Sequence, residues 1–179
     1  YFKFNTAEQP YTTNDLDGKT AYITRTANMA VDKGLLLFCS AGNEGESNWG
    51  KIVFPSDATN TITVGAIDIK KQVSSFSSRG FLRETLVKPN FVALGTATCV
   101  IDSDGDIRYS NGTSFSTPTL AGLGACLYQA LPCVTPQKFI DLMMRSAHNH
   151  KNPDADIGYG IPNVYKIYKQ EHKNAFREK

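Results

Sequence analysis

Leu35-Leu36-Leu37-Phe38-Cys39-Ser40-Ala41-Gly42-Asn43-Glu44-Gly45 is the stretch on which the reading of this chain turns. Five apolar residues without alternation, closed by small and polar ones, have the pattern of a strand buried on both faces, as in a parallel sheet. Upstream, Ile23, Ala27, Ala30 and Val31 recur at helical spacing, so a helix is expected over about 14–33. Asn14 or Asp15 can cap its start and Gly34 can end it. Downstream, Thr61-Ile62-Thr63-Val64-Gly65-Ala66 and Phe91-Val92-Ala93-Leu94 read as two further buried strands. Helices alternating with such strands imply an α/β protein with a mainly parallel sheet.

The loops after these strands, Ser40 to Asn48 and Ser74 to Gly80, are rich in Gly, Asn and Ser, the places where such a scaffold keeps its chemistry. Residues 97–110 read as a hairpin. Its turn, Asp102-Ser103-Asp104-Gly105-Asp106, superficially resembles a calcium loop, but Thr113 stands where the bidentate Glu of an EF-hand is required. From Ser114 to about Ala130 a helix is expected with Leu120, Leu123, Leu127 and Leu131 on one face, then a second from Thr135 or Pro136 to about Ala147. The tail beyond Pro162 reads as a short helix that frays. No repeat or linker divides the chain, so residues 1–179 form one unit.

Composition excludes several classes of function. With 179 residues, 41% of them hydrophobic, the chain has apolar material for one core and is not a disordered or collagen-like sequence. Nineteen Lys and Arg against 17 Asp and Glu give +2 with scattered charges, so the cationic face demanded by nucleic acid is missing. The run Leu35 to Cys39 is far shorter than the roughly 20 residues of a membrane helix. The opening Tyr1-Phe2-Lys3-Phe4-Asn5 lacks a signal-peptide pattern. Of the four cysteines, Cys39 and Cys99 lie in apolar runs and Cys126 in the expected helix. They read as small buried hydrophobes, with disulfides or a metal as alternatives; together with Cys133 they contain no C-x-x-C pair.

Two places can carry chemistry. In Asn111-Gly112-Thr113-Ser114-Phe115-Ser116-Thr117-Pro118 a glycine turn delivers Ser114 to the first turn of an apolar helix, where the positive helix end and unpaired N–H groups can hold an oxyanion. Pro118 is read as lying just inside that helix, where its missing N–H costs little. Such a turn taken alone is also an ordinary N-cap. The α/β-hydrolase elbow is excluded, because Ser116 stands where its second glycine belongs. The second place is Asn43, at the end of a strand, which can donate to a developing negative charge; between glycines, Asn is also a common turn residue.

Ser40 to Gly45, Thr63-Val64-Gly65-Ala66, Phe76-Ser77-Ser78-Arg79-Gly80 and Gly112 to Pro118 together resemble the subtilisin-like serine peptidases, the subtilases, in the order of that family. Lys88-Pro89-Asn90-Phe91-Val92-Ala93-Leu94-Gly95 is similar to the family's Lys-Pro-Asp-x-x-Ala-Pro-Gly segment, departing from it at Asn90 and Leu94, and Gly158-Tyr159-Gly160-Ile161-Pro162-Asn163 is similar to its usual close. Leu94 and the Ala130-Leu131-Pro132 that follows the serine helix look most like subtilases of the Bacteroidetes group. The resemblance covers about residues 11–168 and implies a three-layer α/β/α subtilisin-like fold, here its C-terminal portion. It further implies that Ser114 is the nucleophile and that Asn43 is the oxyanion donor, with the Ser114 N–H as second donor and Thr113 in support. Ser40, Ala41 and Gly42 would wall the pocket for the residue before the scissile bond, with Glu44 at its rim. In subtilisin itself, loss of the Asn costs about 10²–10³ in turnover.

A serine needs a histidine to take its proton, and the histidine needs a carboxylate to orient it. The family's order is Asp, His, Ser, yet residues 1–113 contain no histidine, and His148, His150 and His172 all follow Ser114. His148 and His150 read as surface residues, and Asp15 and Asp17 as belonging to a helix start. The expectation is therefore the serine-bearing part of the domain, with the triad Asp and His on an N-terminal fragment of the same protease. That fragment would be cut off before Tyr1 by autoprocessing or by another protease, and the chain would be stable only with it bound. Substrates would be peptides or proteins. The resemblance implies no cofactor or metal in this chain, places the family's commonest calcium sites on the absent portion, and implies export to the periplasm or outside the cell. The competing readings are a catalytically inactive subtilase-like protein that binds peptides or a partner, and an unrelated α/β binding protein.

Overall fold

The computed structural model describes residues 11–83, 86–131 and 134–177, with side chains to residue 171. A 3-10 turn at Thr13–Asp15 leads to helix α1 (Tyr22–Asp32), followed by strands β1 (Phe38–Ser40) and β2 (Ile62–Ile67). A small antiparallel hairpin, β3 (Phe81–Arg83) and β4 (Leu86–Lys88), precedes β5 (Phe91–Leu94). A second hairpin, β6 (Thr98–Ile101) and β7 (Ile107–Ser110), leads to helices α2 (Thr113–Gln129), α3 (Pro136–Ser146) and α4 (Val164–Arg177). The central sheet has the order β1-β2-β5, all parallel, so the α/β reading and the parallel sheet hold.

Every residue of β2 is buried, as expected of a central strand in a parallel sheet covered on both faces. Ile62 and Val64 point into the main core with Phe91, Leu120, Leu127, Phe139, Ile140, Met143 and Ile167. Thr63 and Gly65 face the other way, against segments 51–61 and 74–90. There the Thr63 hydroxyl donates to the Ser56 carbonyl (2.6 Å), and the Ser77 hydroxyl accepts the Ala66 N–H (3.0 Å). Helix α1 is fastened to that layer by the buried Asp57, which accepts the Thr24 hydroxyl (2.6 Å) and the Gly18 N–H (3.0 Å).

Several expectations need correcting. The helix expected over 14–33 is broken at Asp17, whose carboxylate takes the N–H groups of Lys19 (2.9 Å) and Thr20 (2.7 Å) and so closes a turn in place of a helix. Neither Asn14 nor Asp15 caps α1; Asp15 caps the 3-10 turn in a reciprocal pair with Thr12. Gly34 does stop α1. Its N–H bonds the Val31 carbonyl and that of Leu35 bonds Ala30, a Schellman closure that also uncouples Leu35 from the strand. Leu35 is therefore 53% exposed and β1 starts only at Phe38. β1 is half-buried, not buried on both faces: Cys39 is buried while Phe38 and Ser40 remain partly exposed. On α1 it is Ala21, Thr24 and Ala27 that turn inward, leaving Ile23 54% exposed.

In α2 the inward face runs through Leu120, Gly124 and Leu127, on to Leu131, while Leu123 is 47% exposed. A Cβ at Gly124 would sit 2.9 Å from the Phe38 ring, so this glycine lets the helix rest directly on β1. Pro118 lies beyond the first turn, at the sixth helical position, so its missing N–H leaves the Ser114 carbonyl without its usual helical partner. Helix α3 starts as expected: the Thr135 hydroxyl accepts the Lys138 N–H, with Pro136 in the first turn. The tail is longer than a short frayed helix, with 14 residues in α4. Cys39 is buried, but Cys99 and Cys126 are exposed, and all three are free thiols; Cys133 and Pro132 lie outside the described residues.

At the end of the sheet where β2 and β5 begin, Lys88 is fully buried. Its ammonium donates to the Thr61 carbonyl (2.7 Å), the Thr63 hydroxyl (3.0 Å) and the Asn90 amide oxygen (3.1 Å). Asn90 completes the cluster by accepting the Thr63 N–H and donating to the Val87 carbonyl. All these acceptors are neutral, and burial holds the Lys88 amine down at about 7, despite the opposing pull of Cys39 and Asp57.

Candidate active site

The loops that leave the C-terminal ends of β1 and β5 meet over the first turn of α2. Gly95, just past β5, accepts the Gly112 N–H (2.8 Å), which sets the start of α2 beside that strand. Gly112 precedes the helix at φ 154° and ψ 150°, a region open essentially to glycine alone. No side chain at Gly112 caps α2, so the first N–H groups of the helix need partners from elsewhere.

Thr113 takes one of those partners from the other loop. Its N–H (2.9 Å) and its hydroxyl (3.0 Å) both donate to Asn43 Oδ1, across 70 residues of sequence. Two donors fix the amide oxygen on that side, so Asn43 Nδ2 faces the opposite way, beside Gly112. The Thr113 hydroxyl accepts the Gly42 N–H in turn (3.2 Å). Thr113 is buried and reaches the site through Asn43, whereas Asn43 and Ser114 are both exposed. The Ser114 N–H lies in the first turn of α2, where no intrahelical carbonyl can reach it. The result is a hydroxyl, an amide N–H₂ and a backbone N–H at the positive end of a 17-residue helix, a set able to stabilise an oxyanion next to a nucleophile.

The anticipated pocket wall is tied up in its own backbone. The Ala41 N–H bonds the Val64 carbonyl and its carbonyl accepts the Val53 N–H, both at 2.9 Å. The Gly42 carbonyl accepts the Ser78 N–H (3.0 Å), and the Ser40 carbonyl accepts the Ser56 hydroxyl (2.5 Å). Ala41 and Gly42 are buried and Ser40 is half-buried. The backbone groups named here are therefore already engaged within the chain.

His148 and His150 are placed elsewhere, and the His172 side chain lies outside the described residues. His148 Nδ1 accepts the Ile161 N–H (2.9 Å), and residues 159 and 160 bond Asn90 and Val92, at the end of the sheet where β5 begins. His150 lies against the Tyr159 ring, and both histidines are exposed. Asp17 is engaged in its turn near α1. Among the described residues no group of three or more His, Cys, Asp or Glu could hold a metal ion. In the 102–106 turn, Arg108 pairs with Asp102 and Asp106, two of the three carboxylates that suggested calcium.

A model of the subtilase family matches residues 6–160. The chain belongs to that family. Among curated relatives, this subtilase is 32% identical over 148 residues to subtilisin amylosacchariticus of Bacillus subtilis subsp. amylosacchariticus, covering 82% of this chain and 37% of the relative. It is 34% identical over 107 residues to a cuticle-degrading serine protease of Arthrobotrys oligospora, covering 60% of this chain and 25% of the relative. Among solved structures, the self-cleaved protease domain of PatA superposes with a TM-score of 0.70 at 24% identity, over 89% of this chain and 58% of that one. The CspB protease of Clostridium perfringens follows with 0.59 at 22% identity, over 66% and 28%. The subtilase fold is therefore present, and the chain spans about a quarter to half of the length of the curated relatives it matches.

Proposed function

We propose that this chain is the serine-bearing part of a serine endopeptidase that cleaves peptide bonds through an acyl-enzyme on Ser114. The observation that carries the reading is Thr113 holding Asn43 Oδ1 with two hydrogen bonds while Nδ2 and Ser114 stay unobstructed. Ser114 Oγ attacks the scissile carbonyl; the oxyanion is met by Asn43 Nδ2 and the Ser114 N–H; collapse expels the amine and water then hydrolyses the ester. The proton must go to a base, and no histidine precedes Ser114 while His148 sits at the far end of the sheet. In this reading the histidine and its aspartate are supplied by an N-terminal fragment of the same protease, so that the active species would be a processed two-chain enzyme. A neighbour described as self-cleaved makes autoprocessing the natural route. Export from the cell fits the family; among the described residues no helix is long and apolar enough to cross a membrane. Calcium, where bound, would lie on that N-terminal portion. The Bacteroidetes affinity rests on Leu94 and on Ala130-Leu131-Pro132.

The absence of a histidine ahead of Ser114 also favours a second reading, a subtilase-shaped protein that binds peptides without turnover. A fluorophosphonate probe applied to the native material, followed by a denaturing gel and intact-mass analysis of each band, separates the two. Labelling of Ser114 in a 19.7 kDa band beside a second fragment bearing Asp and His supports the peptidase. A second fragment present with Ser114 unlabelled supports the binding protein.

A further inference from the structure

Asn43 is gripped from two directions, and only one of them is Thr113. On the other side lies the 74–80 loop, in which Ser78 is fully buried. The Ser78 N–H donates to the carbonyl of Gly42 (3.0 Å), the residue before Asn43, and its hydroxyl accepts the N–H of Glu44 (2.9 Å), the residue after it. The Gly45 N–H adds a bond to the Phe76 carbonyl (2.9 Å). The two loops are pressed together closely enough to exclude a side chain at either glycine. A Cβ on Gly42 would stand 2.8 Å from Ser78 Oγ, and one on Gly45 would stand 2.3 Å from the Ser75 carbonyl oxygen.

We propose that Ser78 is a positioning residue for Asn43, clamping the main chain on both sides of it so that the amide is held ready before any oxyanion forms. The inference rests on the oxyanion role given to Asn43 above. Thr113 fixes the amide's rotation and holds the backbone at the Gly42 N–H, whereas Ser78 binds the main chain on both sides of Asn43, at the Gly42 carbonyl and the Glu44 N–H, without touching substrate. A donor displaced by a fraction of its hydrogen-bond length loses much of its effect on a transition state, since the benefit comes from orientation set in advance. Neighbouring Ser77 provides a matched control. It is equally buried and on the same loop, but its hydroxyl accepts the Ala66 N–H of β2 and does not touch the Asn43 loop.

The test uses the active protein with its N-terminal portion and four variants: Ser78→Ala, Ser77→Ala, Asn43→Ala and the Ser78→Ala/Asn43→Ala pair. Ser78→Ala should lower kcat about 10-fold with KM within about twofold, and the pair should be no slower than Asn43→Ala alone, because the clamp has nothing left to position. Ser77→Ala should lower Tm by a similar amount while kcat stays within about twofold of the parent. Equal kcat losses from Ser78→Ala with and without Asn43, or equal losses from both serine variants, would overturn the proposal. Should the parent show no turnover, the peptidase reading is what has failed, and the clamp is then read by amide hydrogen exchange. Ser78→Ala must speed exchange at Glu44 and not at Ala66, with Ser77→Ala doing the reverse; unchanged protection of Glu44 overturns the clamp directly.

Discussion

Where β1 and β5 end, the side chains of Asn43 and Ser114 are exposed, with the buried Thr113 behind them bonded to Asn43 and Gly42. Where β2 and β5 begin, Thr61, Thr63, Lys88 and Asn90 are buried and satisfy one another. Both ends of the sheet are rich in polar groups, so polarity alone does not mark the site. What differs is which groups remain available: an amide N–H₂, a hydroxyl and a first-turn N–H at one end, against closed hydrogen-bond pairs at the other. The end that carries Asn43 and Ser114 is organised by glycines that let backbone approach backbone, the other by one long side chain threaded through the core.

The largest break in that contrast is Ser114→Ala, which should remove about 10⁶ of kcat, the loss known in subtilisin for its own serine, and abolish fluorophosphonate labelling while leaving Tm nearly unchanged. Asn43→Ala should follow with about 10²–10³ in kcat and little change in KM, read by steady-state kinetics.

The opposite end should respond in stability. Unfolded lysine keeps its proton to near 10.5, whereas folded Lys88 releases it near 7. Between those values the unfolded chain binds more protons, so stability should rise with pH across that window, by up to a few kcal/mol. Denaturant titrations from pH 7 to 10 check the slope. Asn90→Asp, which sets a carboxylate on the ammonium, should raise the Lys88 value and flatten it. Smallest is Leu123→Gln: an exposed position on α2 should change stability by no more than about 0.5 kcal/mol, measured as a midpoint shift.

Much of this was legible in advance, for reasons that differ by residue. β2 and β5 were readable because their apolar and small residues suit a strand covered on both faces, and Ser114 and Asn43, whose turns are each commonplace alone, because they occur together with the other family-like segments. β1 was misplaced because Leu35 and Leu36 continue the run although Gly34 has turned the chain outward. Leu123 was assigned inward because leucine at helical spacing is the ordinary core signal, whereas close approach to Phe38 favours the side-chain-free Gly124. Burial of Lys88 runs against its charge and follows only from oxygens brought together by the fold. Ser78 gave no signal of a role because its bonds go to backbone, which no residue type announces; Gly42 and Gly45, the residues its loop presses upon, were the available hint.

The bonds between Thr113 and Asn43 have a further consequence for how the chain is assembled. β1 pairs with β2 from Phe38 opposite Ile62, and β2 with β5 from Val64 opposite Phe91. A slip of one residue in either pairing would carry a site loop about 3.3 Å along the strand and turn its side chains to the wrong face. Contacts of 2.9 and 3.0 Å cannot survive that displacement. Ser114 and Asn43 therefore come together only in molecules whose strands are correctly aligned, so the chemistry proposed for the pair would double as a check on the register of the sheet.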